Sequence, residues 1–140
     1  MSADFVLDTG ALVALQRDPR RFIALVMLAR EESRALRTSA PVVTEFLGGS
    51  SRRLRPAGQY VISRISSSDV TESLARRAAV LIQGAVDEGG RARPSAIDAL
   101  VAAEAEATDA ALVFDGDAAD FRALSRASGA LEIQELRGLL

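Results

Sequence analysis

The fold is decided by the stretch Phe5-Val6-Leu7-Asp8-Thr9-Gly10 near the start of the chain. Three consecutive apolar residues predict a short buried strand, and an Asp-Thr pair directly after them is typical of a strand end that caps a helix. We therefore expect a helix from Thr9 through about Gln16. Asp8 is then the first polar residue beyond a buried strand.

Working outward from this stretch, strand-like runs alternate with helical patterns. Further strands are predicted at 35–38, 110–114 and 131–133, a connection at 50–58 and a break at 66–68. Helices are predicted at 19–29, 41–47, 59–65, 71–83, 95–105 and 118–124. This alternation predicts a single α/β domain over residues 1–140, a sandwich with a short central parallel sheet flanked by helices. Sites in such sheets form beyond the carboxyl ends of the strands.

The composition excludes several kinds of chemistry. The 140 residues contain no cysteine and no histidine, and all 17 basic residues are arginine, so lysine is absent too. Thiolate nucleophiles, Ser-His triads, zinc sites built from Cys or His, and Schiff bases are thereby excluded. The net charge of −2 argues against a broad nucleic-acid footprint but leaves room for a local basic groove.

The sequence also lacks features of secretion and membrane insertion. No run approaches the 18 or so apolar residues that span a bilayer, and Met1-Ser2-Ala3-Asp4 lacks the basic and apolar segments of a signal peptide. We therefore expect a cytoplasmic protein.

Four acids are hard to explain by structure alone: Asp8, Glu45, Asp98 and Asp117. Each has an ordinary interpretation, since Asp8 could be a helix cap, Asp98 could favour its helix dipole, and Asp115-Gly116-Asp117 could be a turn. A parallel topology would bring all four to one edge, where their repulsion requires a divalent cation. Oxygen donors without His or Cys suit Mg²⁺ or Mn²⁺, which supports hydrolysis of phosphodiesters.

Four segments taken in order carry a family resemblance: Val6–Ala14, Val43–Phe46, Ile97–Ala103 and Asp117–Phe121. Together they resemble the PIN-domain ribonucleases. The chain length and motif order, from about residue 4 to residue 136, are similar to the VapC-type toxins of bacterial toxin–antitoxin pairs. The resemblance implies a PIN fold, dependence on Mg²⁺ or Mn²⁺, endonucleolytic cleavage of RNA, a homodimer, and neutralisation by a cognate antitoxin.

The resemblance also assigns roles to individual residues. Asp8, Glu45, Asp98 and Asp117 match the family's metal-binding and catalytic acids, and Thr9 matches a small hydroxyl residue beside the first of them. Most members have Ser or Thr two residues before the last acid, where this chain has Asp115. Either Asp115 or Asp117 could be the inner ligand, and counting back from Asp120-Phe121 favours Asp117. Asp120 is expected to cap the next helix or to face solvent.

Substrate contacts are expected from Thr9 and from arginines near the acids, because guanidinium groups bind phosphates in a bidentate manner. Arg93 is the arginine that we assign to substrate. The alternative is that these are ordinary charged loops. The candidates form two groups, Arg52, Arg53 and Arg55 after the Glu45 helix, and Arg91 and Arg93 before the Asp98 helix.

The leading hypothesis is thus a metal-dependent endoribonuclease with water as nucleophile, which leaves 5′-phosphate and 3′-hydroxyl ends. A second hypothesis is a PIN-like binding module without catalysis that acts through a protein partner. A third, suggested by Leu7-Asp8-Thr9-Gly10, is a phosphatase of the haloacid-dehalogenase type. That family expects a second aspartate where Gly10 stands, and a lysine, which this chain lacks.

Overall fold

The computed structural model describes residues 3–140; Met1 and Ser2, the first half of the stretch predicted to lack signal-peptide features, lie outside the described residues. The strands are β1 Phe5–Leu7, β2 Leu36–Ser39, β3 Ser66–Ser68, β4 Ala111–Phe114 and β5 Glu132–Glu135. The helices are α1 Thr9–Arg17, α2 Pro19–Glu31, α3 Ala40–Gly49, α4 Arg55–Ser63, α5 Glu72–Asp87, α6 Ala96–Ala107, α7 Ala119–Ser128 and α8 Leu136–Leu139, with a 3-10 turn at Arg52–Leu54.

The five strands form one sheet in the order β3-β2-β1-β4-β5, and every neighbouring pair is parallel. The central strand is β1, in which Phe5 lies opposite Leu36 on one side and Ala111 on the other. Because all strands run the same way, the residues that follow them meet at one edge of the sheet. The predicted α/β architecture is confirmed.

The core lies on both sides of β1, whose three residues are fully buried. Helix α6 packs across β1, β2 and β4, and its buried face explains why its sequence is almost wholly apolar. Helix α1 packs against β4 and the helices α2, α3 and α4. Among the described residues, no helix is both long and apolar enough to cross a membrane.

Two segments were predicted wrongly. The presumed connection at 50–58 contains a 3-10 turn and the start of α4, where Pro56 occupies a first-turn position that suits its fixed backbone angle. The presumed break at 66–68 is the edge strand β3. Its backbone pairs with β2, and Ser68 Oγ accepts a hydrogen bond from Arg37 Nη2 at 2.9 Å. Serine has little strand propensity of its own, so only this tertiary pairing makes the segment a strand.

Candidate active site

Asp8 stands at the carboxyl end of the central strand and begins the first helix. Its backbone N–H donates to the carbonyl of Val113 at 3.0 Å, which ties the end of β1 to β4. Its Oδ1 accepts the N–H of Ala11 at 2.7 Å, so the helix-cap interpretation is confirmed. The residue is only 7% exposed, and a cap that satisfies one oxygen does not remove the cost of burying the charge.

Asp98 lies in the first turn of α6 and is half-buried. It forms a capping box with Ser95: the Asp98 N–H donates to Ser95 Oγ at 3.0 Å, and Asp98 Oδ2 accepts the Ser95 N–H at 3.4 Å. Asp98 therefore has a structural role at the helix start. This first turn of α6 lies near the edge where β1 ends, since the charge of Asp98 acts on Asp8.

The charges of these acids act on each other. The pKa of Asp8 is raised to about 7, chiefly because the carboxyl is buried. The hydrogen bond from Ala11 lowers this pKa, and the negative charges of Asp98 and Asp115 raise it. Burial likewise raises the pKa of Asp98, opposed by its bonds to Ser95, and the charges of Asp120 and Glu45 add to the increase. Five acids from four separate segments thus share one edge, which we call the acid edge: Asp8, Glu45, Asp98, Asp115 and Asp120.

Gly10 lets two acid-bearing segments come together. A Cβ at this position would lie 2.8 Å from the carbonyl oxygen of Asp115 and 3.6 Å from both carboxylate oxygens of Asp8. Contacts below 3.0 Å are essentially never tolerated, so any side chain here would push the first turn of α1 away from the loop after β4. The missing side chain therefore helps to bring Asp115 near Asp8.

Glu45 and Thr9 line a groove of about 360 Å³ beside the acid edge, together with Arg17. Helix α3 packs through the buried Val42 and Phe46, which leaves Glu45 exposed between them. The hydroxyl oxygen of Thr9 is buried without a hydrogen-bond partner within residues 3–140. The hydroxyl of Thr9 is therefore a buried polar group at this site to which the described residues offer no hydrogen bond.

Ser39 is a candidate residue that sequence reasoning missed. It ends β2, is fully buried, and its Oγ has no hydrogen-bond partner in the described chain. Val6 lies opposite Arg37, so continuing that register by two residues brings Ser39 level with Asp8. No sequence signal distinguished this serine, because its neighbour across the sheet comes from a segment 31 positions away.

Asp117 is placed differently from the other predicted acids. It is exposed, and its Oδ1 accepts the N–H of Ala119 at 2.9 Å. The prediction that Asp117 is the inner ligand stays a prediction, and this arrangement favours Asp115. Asp120, which was expected to cap the next helix or to face solvent, is partly buried and does not cap α7. Asp117 bonds the start of α7, whereas Asp120 accepts the backbone N–H of Arg93 at 2.9 Å.

The arginines predicted to flank the acids fall into two places. Arg52, Arg53 and Arg55 are all exposed on the 3-10 turn and the first residue of α4. The guanidinium of Arg93 donates to the carbonyls of Gly90 and Ala92 at 3.1 and 2.7 Å, so it organises its own loop.

The acids share an edge without forming a tight cluster. Within residues 3–140, no three carboxylates are placed closely enough to hold a metal ion together. The close cluster expected from the sequence is therefore not formed in this arrangement, and mutual repulsion of like charges favours the separation. The donor set is entirely oxygen, which is the chemistry that Mg²⁺ and Mn²⁺ prefer.

Comparison with known proteins agrees with this architecture. The family model described as PIN domain matches residues 5–127. A search of the curated proteins finds no match.

Solved structures with the same fold include "VapBC2 from Rickettsia felis bound to a DNA fragment from their promoter", with a TM-score of 0.71 and 18% identity, covering 94% of this chain and 97% of that one. VapBC-1 from nontypeable Haemophilus influenzae has a TM-score of 0.68 and 17% identity, covering 95% and 98%. DNA-bound VapBC from Salmonella typhimurium has a TM-score of 0.68 and 18% identity, covering 96% and 98%. The family model spans most of the chain, and this protein therefore belongs to the PIN domain family.

Proposed function

We propose that this protein is a Mg²⁺- or Mn²⁺-dependent endoribonuclease of the VapC type, the toxin of a toxin–antitoxin pair. The proposal treats residues 1–140 as one PIN domain and places its activity in the cytoplasm. The observation that carries it is the acid edge, where Asp8, Asp98 and Asp115 come together from β1, α6 and the loop after β4. Family membership supports the same reaction class.

The donor chemistry of the residues present fits a hard divalent cation, although no three carboxylates within residues 3–140 are close enough to hold one together in this arrangement. Asp8, Asp98 and Asp115 would hold it, with Glu45 beside them and Asp117 at the rim. The side-chain donors at this edge are all oxygens. A bound Mg²⁺ would neutralise the acids, polarise a phosphate oxygen and activate water for in-line attack.

The chain's own residues have separate tasks in this proposal. The carboxylates of Asp8 and Asp98 each accept a backbone N–H at the start of a helix, which restrains their orientation at the acid edge. Thr9 and Glu45 line the adjoining groove, and we assign Thr9 to substrate contact, although its hydroxyl oxygen is buried in this arrangement. Since the chain has no histidine or lysine, proton transfer in this site depends on carboxylates and water.

The test is cleavage of a labelled single-stranded RNA by the purified protein with Mg²⁺, with Mn²⁺ and with EDTA. We expect cleavage only with a divalent cation, and products that carry 5′-phosphate and 3′-hydroxyl ends. Cyclic-phosphate ends would contradict attack by water. A phosphomonoester added to the same preparation should remain intact, which excludes the phosphatase hypothesis.

An apolar surface on α2 and α4 supports the proposed antitoxin partner. Ile23, Met27 and Tyr60 are each 57% exposed, although they are large apolar side chains. They border a groove of about 220 Å³ that also contains Arg30 and Arg64. A surface of this kind fits an apolar segment with acidic residues from another protein.

Co-purification with the product of the neighbouring reading frame tests the partnership. Ile23→Glu/Met27→Glu should abolish it, whereas Val80→Glu, an exposed change on α5, should not. The proposed homodimer is tested by sedimentation of the isolated protein, and a monomer at micromolar concentration would contradict it.

The alternative of a PIN-like binding module without catalysis is favoured by one observation. The described acids form no group of three placed to hold a metal. A protein that binds its partner but cuts no RNA in either metal ion would support this alternative.

A further inference from the structure

A second groove, of about 450 Å³, adjoins the acid edge on the side of α7. Three arginines line it: Arg91 from the loop before α6, and Arg122 and Arg126 from α7. Two carboxylates, Asp117 and Asp120, lie in the same wall. Guanidinium groups from two distant segments of an acidic chain thus converge on one concave surface.

The arginines of this groove differ in how they are neutralised. Arg126 forms an ion pair with Glu88, Nε to Oε2, at 2.9 Å. Arg91 and Arg122 are exposed and form no ion pair within residues 3–140. Each of the two wall carboxylates accepts a backbone N–H, from Ala119 and Arg93 respectively. The groove therefore presents two guanidinium groups that no carboxylate of the described chain pairs with.

The groove shares one residue, Asp120, with the acid edge. Asp120 is part of its wall, and the charge of Asp120 is among those that raise the pKa of Asp98. The groove that holds Thr9 and Glu45 adjoins the same acids. A strand that crosses the acid edge would therefore extend into both grooves, one bordered by hydroxyl groups and the other by arginines.

We propose that Arg91 and Arg122 bind backbone phosphates of the RNA strand on one side of the cleaved bond. This inference rests on the proposed function and replaces the assignment of Arg93, whose guanidinium is bonded to its own loop. Exposed guanidinium groups bind phosphate oxygens in a bidentate manner without reading the bases. Arg91 and Arg122 are thus positioning residues that set where the strand lies.

The test is binding of a fluorescein-labelled single-stranded RNA, followed by anisotropy in EDTA so that no cleavage occurs. The variant is Arg91→Gln/Arg122→Gln, which keeps side-chain length. The matched control is Arg20→Gln/Arg137→Gln, two exposed arginines on α2 and α8 that line neither groove. We expect about tenfold weaker binding for the first pair, and a slope of log affinity against log salt that is smaller by about 1.4, since each phosphate contact on a single strand contributes about 0.7. The control pair should match the parent protein.

The outcomes separate this inference from the proposed function. Unchanged affinity and slope in the Arg91/Arg122 variant, with RNA still bound and cut by the parent, would overturn the inference alone. An equal loss in both double variants would overturn it too, because the effect would then follow net charge rather than the groove. A parent protein that neither binds nor cuts RNA would instead refute the proposed function. Thermal melting of each variant confirms that it is folded.

Discussion

Two buried carboxylates of this protein differ in whether a positively charged side chain neutralises them. Glu104 of α6 is 6% exposed, and its Oε1 accepts a hydrogen bond from Arg37 Nη2 at 2.9 Å. Asp8 at the end of β1 is 7% exposed, and in residues 3–140 it has no ion pair. Its nearest charged influences are the further acids Asp98 and Asp115.

The difference between the two carboxylates indicates that the surroundings of Glu104 serve stability, whereas those of Asp8 serve a site. A buried carboxylate is tolerated when a cation and hydrogen bonds compensate it, and the chain provides Arg37 for Glu104. At the acid edge it provides like charges instead. The charge of Asp8 is offset by the backbone N–H groups of Ala11 and Gly10, and its pKa is raised despite them. A region that accumulates charge of one sign in a half-buried place is typical of a site whose compensation comes from a ligand.

The largest expected effect is loss of cleavage on neutralising the acid edge. Asp8→Asn and Asp98→Asn should each reduce the rate of RNA cleavage in Mg²⁺ by about 100-fold or more. Their melting temperatures should stay the same or rise, because each change removes a charge from a repulsive group, and an asparagine at position 8 still caps α1 well. Rates come from labelled RNA and stability from circular dichroism. Parental cleavage by either variant would mean that the acid is misassigned.

The next effect is a pH dependence of stability in the metal-free protein. The pKa of Asp8 is about 7 when folded, against 3.8 ordinarily, so the folded state holds this proton more tightly than the unfolded chain. The free energy of unfolding should therefore fall as pH rises from about 4 to about 7, by on the order of 2 to 4 kcal/mol. Urea titrations in EDTA measure it. Asp8→Asn should reduce this fall, and a parent profile that rises over the same range would contradict the assignment.

Millimolar Mg²⁺ should restore the free energy of unfolding that is lost as pH rises. At pH 7.5 it should bind the folded state and raise the melting temperature. Asp98→Asn should weaken that increase. No shift with either Mg²⁺ or Mn²⁺ in the parent protein would remove the support for a cation at the acid edge.

For Glu104, the carboxylate that pairs with Arg37, we expect a substitution to change stability and not activity. Glu104→Gln should lower the free energy of unfolding by about 3 kcal/mol, because it leaves the part-buried Arg37 without its main partner. Cleavage per folded molecule should stay at the parental rate, because the ion pair of Glu104 with Arg37 joins α6 to β2 and does not involve the acid edge. Denaturant titration and RNA cleavage are measured on the same preparation. A variant as stable as the parent would show that the ion pair contributes little.

The smallest expected effect is on Ser39, whose buried hydroxyl has no protein partner. A purely structural serine of this kind is replaced at no cost, so Ser39→Ala should leave stability unchanged or raise it by about 1 kcal/mol. If the hydroxyl serves the acid edge, the melting shift caused by Mg²⁺ should nevertheless shrink. A loss of stability of more than about 1 kcal/mol would show that Ser39 has a structural partner after all. Thr38→Ser is the matched control. The hydroxyl of Thr38, next to Ser39 in the chain, already donates a hydrogen bond to the Leu7 carbonyl at 2.7 Å, and serine keeps that donor.

Strong local patterns predicted most of the fold. Phe5–Leu7 and the helix that starts at Thr9 were identified by an apolar run followed by a capping pair. The edge strand Ser66–Ser68 was missed because its structure depends on pairing with β2, which no local pattern records. Likewise, the sequence at the start of α4 predicts a loop, because prolines and arginines are common both in loops and in the first turns of helices.

The amino-acid composition alone limits the chemistry that is available to this protein. With no histidine, cysteine or lysine, only carboxylates, hydroxyls and arginines remain, and the order of its acids identified a PIN domain. Only the tertiary structure decided which acids meet. Gly10 admits the loop of Asp115 against α1, whereas Asp117, two residues later, is tied to the start of α7. The physical reason is that repulsion and burial act through space, between segments that are about a hundred residues apart in the chain.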